Sequence, residues 1–451
     1  MIRATTGGVL KSYRRNLMNS FIARNKAQDT VLTQRNFNSY AEDPAAAARA
    51  FKLRKARMTV ESQYSVCTDT HKKFQTGWTS LEGISKLIDT ENAEPMKTLA
   101  GTSLTMLNDP TADAREQLTK ALDQISQTII QNLNQKYGEN FIFSGADGHN
   151  VPFEIKDDKL YYRGVPVDAA VPKIFDADGN GTSVMLNANG QVDTAGDHFL
   201  LSTGLKTISE SAYEQAVKNY QNDPTGSPPP DVLRDPPTPP DTIGDPHLFT
   251  DKDGNKYYIE KSGAQSMTQD EIDAATKDAE KLKYLMNEKQ FVDIGLGFQE
   301  NENGQLIESS AYNAALNGLT FIGYGLDADG DPKNIYSLVQ KMKEIGARVK
   351  DGENWTKADY DEFNGLVKKL EKASSEFKTE FTNMSAGTQK LENNVELLED
   401  NFYNLQEQYS DIEDVDMADA ITSFVWAQYC YNAALKVGNS ILSESLMDYL
   451  K

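Results

Sequence analysis

A seam of apolar and small side chains runs for fifty residues near the C-terminal end of this 451-residue chain, and nothing else in it restricts the fold so strongly. It passes through Phe363, Val367, Leu370, Ser374, Phe377, Phe381, Met384, Thr388, Leu391, Val395, Leu398, Phe402, Leu405, Tyr409 and Ile412. The steps alternate between four and three, Ser374 and Thr388 interrupt it, and no proline does. Only a helix packed along its whole length keeps such a seam. At 1.5 Å per residue it makes a rod of roughly 75 Å. A globular core has no use for a rod that long, so the chain must supply partner helices.

The other end supplies them. Asp43-Pro44 is a helix start, with the aspartate as cap and the proline in the first turn. Cys67, Phe74, Trp78, Leu81 and Ile88 follow at three-four spacing or its multiples. Leu118, Leu122, Ile125, Ile129 and Leu133 mark a second helix, with a boundary or kink expected near Pro95. A looser stripe runs through Leu10, Leu17, Phe21 and Val31, and heptads return in Ile421, Phe424, Gln428, Tyr431, Leu435, Gly438 and Leu442. Residues 1–33 carry six basic side chains and one acidic; residues 411–451 carry two basic and seven acidic. Opposite charges at opposite ends predict that the ends meet, although salt screens such attraction beyond about 10 Å.

Between His149 and Pro332 the period changes. Residues 153–163 and 248–259 read as hairpins, and Lys173-Ile174-Phe175 as a strand entering a tight Asp/Asn/Gly turn. One helix starts near Thr268. Nine of the sixteen prolines fall between Pro224 and Pro246, which predicts an extended surface loop with no part in a core. The pattern defines an α+β multidomain chain: a long antiparallel helical, coiled-coil rod built by both termini, with a strand-rich outer domain inserted between them.

The chain offers little chemistry. Its net charge of −21 and pI of 4.7 argue against a nucleic-acid partner, which would call for clustered lysine and arginine. No apolar run approaches a membrane span, and the first thirty residues lack the apolar stretch and cleavage site of a secretory signal. Cys67 and Cys430 make neither a disulfide framework nor a zinc site. Asp176 to Gly181 matches half of an EF-hand loop, but Asn187 stands where the bidentate glutamate belongs; Asp327 to Asp331 places Pro332 where the sharp-turn glycine belongs. Gly323-Tyr324-Gly325 fits a relaxed dinucleotide fingerprint, yet an acidic turn follows it where a helix N-terminus is needed. The four histidines are isolated. The expectation is a protein without catalytic, metal-binding or cofactor-binding residues, and not an enzyme.

Several stretches together resemble a known family. Asp43-Pro44-Ala45-Ala46-Ala47-Ala48 with Leu53-Arg54 resembles the start of the first long helix of flagellins. Ile412 to Ala420 is similar to the segment opening their last helix. Phe141-Ile142-Phe143-Ser144-Gly145 with Pro152-Phe153, the tail Ser445 to Leu450, and residues 292–297 and 311–334 resemble the hook-filament junction proteins of that family, the hook-associated protein 3 group. Flagellin itself, the bulk filament subunit, is the alternative.

The resemblance implies a structural subunit of the bacterial flagellum, an adaptor between hook and filament that assembles through its terminal helices. It implies a terminal coiled-coil polymerisation domain over 1–40 and 413–451, a long-helix rod domain over 41–148 and 333–412, and an inserted outer domain over 149–332 with its proline-rich loop at 224–246. Leu10, Leu17, Phe21, Ile421, Phe424, Tyr431, Leu435 and Leu442 are the expected assembly residues. Implied partners are further copies of the chain in a helical layer, a hook-associated protein on the hook side, flagellin on the filament side, and an export chaperone on the C-terminal helix. The implied location is extracellular, in the flagellum, reached through the flagellar export channel without a cleaved signal.

Overall fold

The computed structural model describes residues 6–88, 112–177, 182–238, 241–348 and 356–449. Nine helices are described: α1 (Thr6–Thr33), α2 (Pro44–Ile88), α3 (Ala112–Leu133), α4 (Glu210–Asn222), α5 (Gln269–Met286), α6 (Gly318–Ile322), α7 (Ile335–Arg348), α8 (Lys357–Glu413) and α9 (Met417–Tyr449). The fifty-residue seam lies wholly within α8, and each of its residues is buried or half-buried. The predicted boundary at Pro95 falls outside the described residues. Two compact units emerge, one of residues 1–69, 293–311 and 391–451, the other of 70–292 and 312–390.

The second unit is built around the Phe141–Gly145 stretch. Ile142, Phe143 and Ser144 are fully buried. Ser144 and Gly145 pair antiparallel with Asn317 and Leu316. The Phe143 ring meets Phe321 edge-on at 5.9 Å, and Phe321 meets Phe377 of α8 at 6.5 Å. The Tyr162 hydroxyl donates to the Phe143 carbonyl at 3.1 Å. Gly318 has no room for a side chain, since a Cβ would lie 2.4 Å from the Phe153 ring. The residues that carry the junction-type resemblance here are therefore core, not surface.

The hairpins form as the sequence predicts. Phe153–Lys156 pairs with Lys159–Tyr162, turning at Asp157 and Asp158 with φ of 51° and 61°. Phe249–Thr250 pairs with Lys256–Ile259, which also receives Thr207–Ser209. Helix α5 starts on a capping box in which Thr268 and Glu271 satisfy each other's backbone N–H. Lys173 to Phe175 forms only a single bridge, Ile174 to Leu201. Asp178 to Gly181 lie outside the described residues.

The proline-rich segment differs from expectation. Val232 and Leu233 are 1% and 2% exposed, and Leu233 joins Leu186, Leu200, Phe249 and Ile259 in a small core of its own. The Leu233 N–H donates to Ile259 and its carbonyl accepts from His247. Proline withholds a donor only at its own position. Asp231 to Asp235 lies between two proline runs with every donor intact, so it pairs and packs.

The second aspartate loop carries its own cation. Asp327, Asp329 and Asp331 bring their carboxylates within 4.8 Å of one another. The Lys369 ammonium of α8 sits among them at 2.7, 2.8 and 2.5 Å. Lys341 adds a second ammonium to Asp331. Burial pushes the carboxyls of Asp327 and Asp331 up, but hydrogen bonds from these lysines outweigh it and hold both below the ordinary aspartate range. The glycines of the dinucleotide-like stretch end α6 and lead into this loop, with φ of +79° at Gly323 and +76° at Gly325, and the next helix begins only at Ile335.

Candidate assembly surface

In the first unit α1 packs along α9, so the two chain ends meet. What joins them is a seam more than a charge pairing. Leu10, Tyr13, Leu17, Arg24 and Val31 of α1 are half-buried, as are Phe424, Gln428, Tyr431 and Ala434 of α9. The Phe21 and Tyr431 rings lie 5.9 Å apart, and the Arg24 guanidinium covers both at 5.3 and 5.1 Å. An arginine over two ring faces gains cation–π attraction while shielding them from water. Gly438 is buried beneath Tyr13.

Of the eight residues expected to mediate assembly, Leu10, Leu17, Phe424 and Tyr431 face this intramolecular seam. Phe21 is 36% exposed and straddles its edge. Ile421 and Leu435 point outward, 48% and 43% exposed. The side chain of Leu442 lies outside the described residues. Sequence reasoning missed a second stripe on α9. Ile421, Val425, Tyr429, Ala433 and Val437 recur every four residues, all exposed, with Trp426 beside them. The signal was legible, because α9 is apolar on more than one side and a two-helix pair covers only one. Val9, Met18, Ile22 and Leu32 add exposed apolar surface on α1. No helix among the described residues is long and apolar enough to cross a membrane.

Below this pair the chain crosses between α1 and α2, and between α8 and α9, through an interlocked clamp. Gln34 takes a φ of 59°, and its carbonyl accepts from Val415. The Asn36 amide nitrogen donates to the carbonyls of Ile412 and Asp414, and its backbone N–H to Glu413. Asp416 caps α9 through the N–H of Ala418 at 2.8 Å. The Glu413 side chain is 4% exposed and pairs with Arg35 and Arg54, each at 3.0 Å. Arg54 also donates to the Tyr409 hydroxyl at 2.7 Å, and both Arg54 and Arg57 lie over the Tyr409 ring. Burial pushes the Glu413 carboxyl up, yet Tyr409 and the two guanidiniums bring it below the ordinary glutamate value. A buried carboxylate shared by two arginines fixes where α1 ends and α9 begins.

Residues 367–450 match the family described as bacterial flagellin C-terminal helical region. The match takes in most of α8 and the whole of α9. Solved structures that resemble the chain include a putative flagellar hook-associated protein from Vibrio parahaemolyticus, at 10% identity and a TM-score of 0.40, over 83% of this chain and 100% of that one. FlgL from Xanthomonas campestris aligns at 12% identity and a TM-score of 0.35, over 79% and 98%. Hook associated protein-3 from Legionella pneumophila aligns at 11% identity and a TM-score of 0.36, over 80% and 98%. At such scores the fold stands on its own geometry. A comparison with curated proteins gives no match.

Proposed function

We propose that this chain is a structural subunit of the bacterial flagellum, the adaptor at the hook-filament junction, and that it assembles through its terminal helices. One observation carries the reading. A helix pair whose C-terminal member is of flagellin type keeps apolar side chains such as Trp426, Tyr429 and Val437 in solvent at 64%, 68% and 54%. Exposed apolar surface of this kind marks an interaction site. Repeating, head-to-tail contacts then build an open helical layer. The junction-type stretch at Phe141–Gly145 favours the adaptor over the bulk filament subunit.

In this reading residues 1–40 and 413–451 form the polymerising part, 41–148 and 333–412 the rod, and 149–332 the projecting domain. The neighbours are a hook-associated protein below, flagellin above and an export chaperone on α9 before assembly. The protein resides outside the cell, delivered through the flagellar channel, and works mechanically without catalysis.

Electron microscopy of cells lacking this gene tests it. Bare hooks, with flagellin shed into the medium, are expected. Full filaments on those hooks would overturn the reading, and hooks with a cap but no filament protein made would identify flagellin instead. Restoring the gene without residues 421–451 should leave the hooks bare.

A further inference from the structure

We propose that two faces of the first unit, one on α2 and one on α8, dock head-to-tail between copies of this chain. The proposal rests on the assembly reading and adds a second contact to it, away from the terminal pair.

The charge distribution along the two helices is lopsided. Residues 44–60 contain five basic side chains and no acidic one. Residues 391–413 contain seven acidic side chains and no basic one. Part of this complementarity is consumed inside the molecule, where Arg54 and Arg57 engage Tyr409, Glu413 and Gln406. The remainder points outward. On α2, Phe51, Lys52, Lys55 and Met58 share one face by helical spacing, and all are exposed. On α8, Glu396, Asp400, Tyr403, Glu407 and Asp411 share another, with Leu397 at its edge, all exposed. None of these charged groups has an ion pair among the described residues.

Each face also carries two large apolar groups in solvent. Phe51 and Met58 are 67% and 57% exposed; Leu397 and Tyr403 are 65% and 61% exposed. Seven residues separate the first two and six the second, about 10 Å and about 9 Å along a helix. Along the helix axis the two pairs are spaced alike, with lysines around one and carboxylates around the other, while around α8 Leu397 and Tyr403 stand at opposite edges of the face, about 120° apart. Aromatic anchors in a ring of complementary charge are the usual make-up of a specific contact.

The occupant follows from the net charge. Two copies, each at −21, repel at long range, so they associate only where the surface is locally complementary. Here both halves of the complement lie on one chain. Because the halves differ, the contact is heterologous and propagates from copy to copy.

Charge reversal of the full-length protein tests it. Sedimentation velocity at low salt should show concentration-dependent self-association of the wild type that fades as salt rises. Lys52→Glu with Lys55→Glu, or Asp400→Lys with Glu407→Lys, should each weaken it by about tenfold or more, since attractions become repulsions. An equimolar mixture of the two variants, and the fourfold variant, should regain it. Unchanged thermal midpoints confirm folding, because all four sites are exposed. A monomeric wild type, an unaffected reversal, or a fourfold variant no better than the doubles would each overturn the proposal. Association unaffected while filaments are lost in cells would assign the faces to other flagellar neighbours, also overturning it. If reversals leave filaments intact while loss of residues 421–451 removes them, this contact falls and the adaptor reading stands; if neither change matters, both fall.

Discussion

The Tyr13 hydroxyl lies directly over Gly438, so close that a Cβ on the glycine would sit 1.8 Å from the oxygen and 2.3 Å from the ring carbon bearing it. Helix α9 accepts a residue of poor helical propensity here because α1 lays an aromatic ring against its backbone.

Gly438→Ala should therefore destabilise the α1–α9 pair by about 1–2 kcal/mol, overpacking outweighing alanine's helical advantage of about 1 kcal/mol. Amide hydrogen exchange in the two helices reads this out. Adding Tyr13→Ala should recover much of the loss. A Gly438→Ala protein more protected than the wild type would show that the ring simply swings aside.

The clamp at Glu413 predicts acid sensitivity. Its carboxyl is held below its ordinary value of 4.5, so its contribution to stability is present above that value and is lost as pH falls through the lower, folded one. Arg35 and Arg54 are half-exposed, so solvent screening keeps the contribution to about 1–2 kcal/mol. Glu413→Gln should be less stable than the wild type at pH 7. The gap should narrow as pH falls below 4.5 and close only once pH has passed the lower, folded value, where the wild-type carboxyl is protonated too. Denaturant titrations at both pH values measure the gap, and a constant difference would refute the linkage.

Leu233 predicts that the proline-rich segment is load-sharing. Leu233→Ala should cost about 2–4 kcal/mol and expose the 224–246 segment to proteolysis before the helices unfold. Cleavage there at the wild-type rate would return the segment to the status of a surface loop.

These results mark what the sequence could and could not reveal. The α8 seam was readable to its last residue, because a helix packed along its length must repeat its pattern locally. The hairpins at 153–162 and 249–259 were readable through their Asp/Gly turns. The Val232-Leu233 core contact was not, since proline density around it masked two apolar residues whose partners lie as far away as Leu186. The α9 surface was half readable. Heptad spacing located Phe424 and Tyr431 on the inner seam, but the same rule placed Ile421 and Leu435 there, and both face solvent. Apolarity alone does not distinguish a side chain facing its own chain from one awaiting another. The Gln34–Asn36 and Glu413–Asp416 clamp left no pattern at all, because it is made largely of backbone groups brought together from opposite ends.

The lysine lodged among Asp327, Asp329 and Asp331 has one more consequence. Many acidic loops owe their shape to an ion borrowed from the surrounding water, and they slacken when the water is poor in it. This loop has an ammonium from its own chain among its carboxylates, so their mutual repulsion is relieved without a dissolved ion. Such an arrangement keeps its form with little regard to the hardness of the medium.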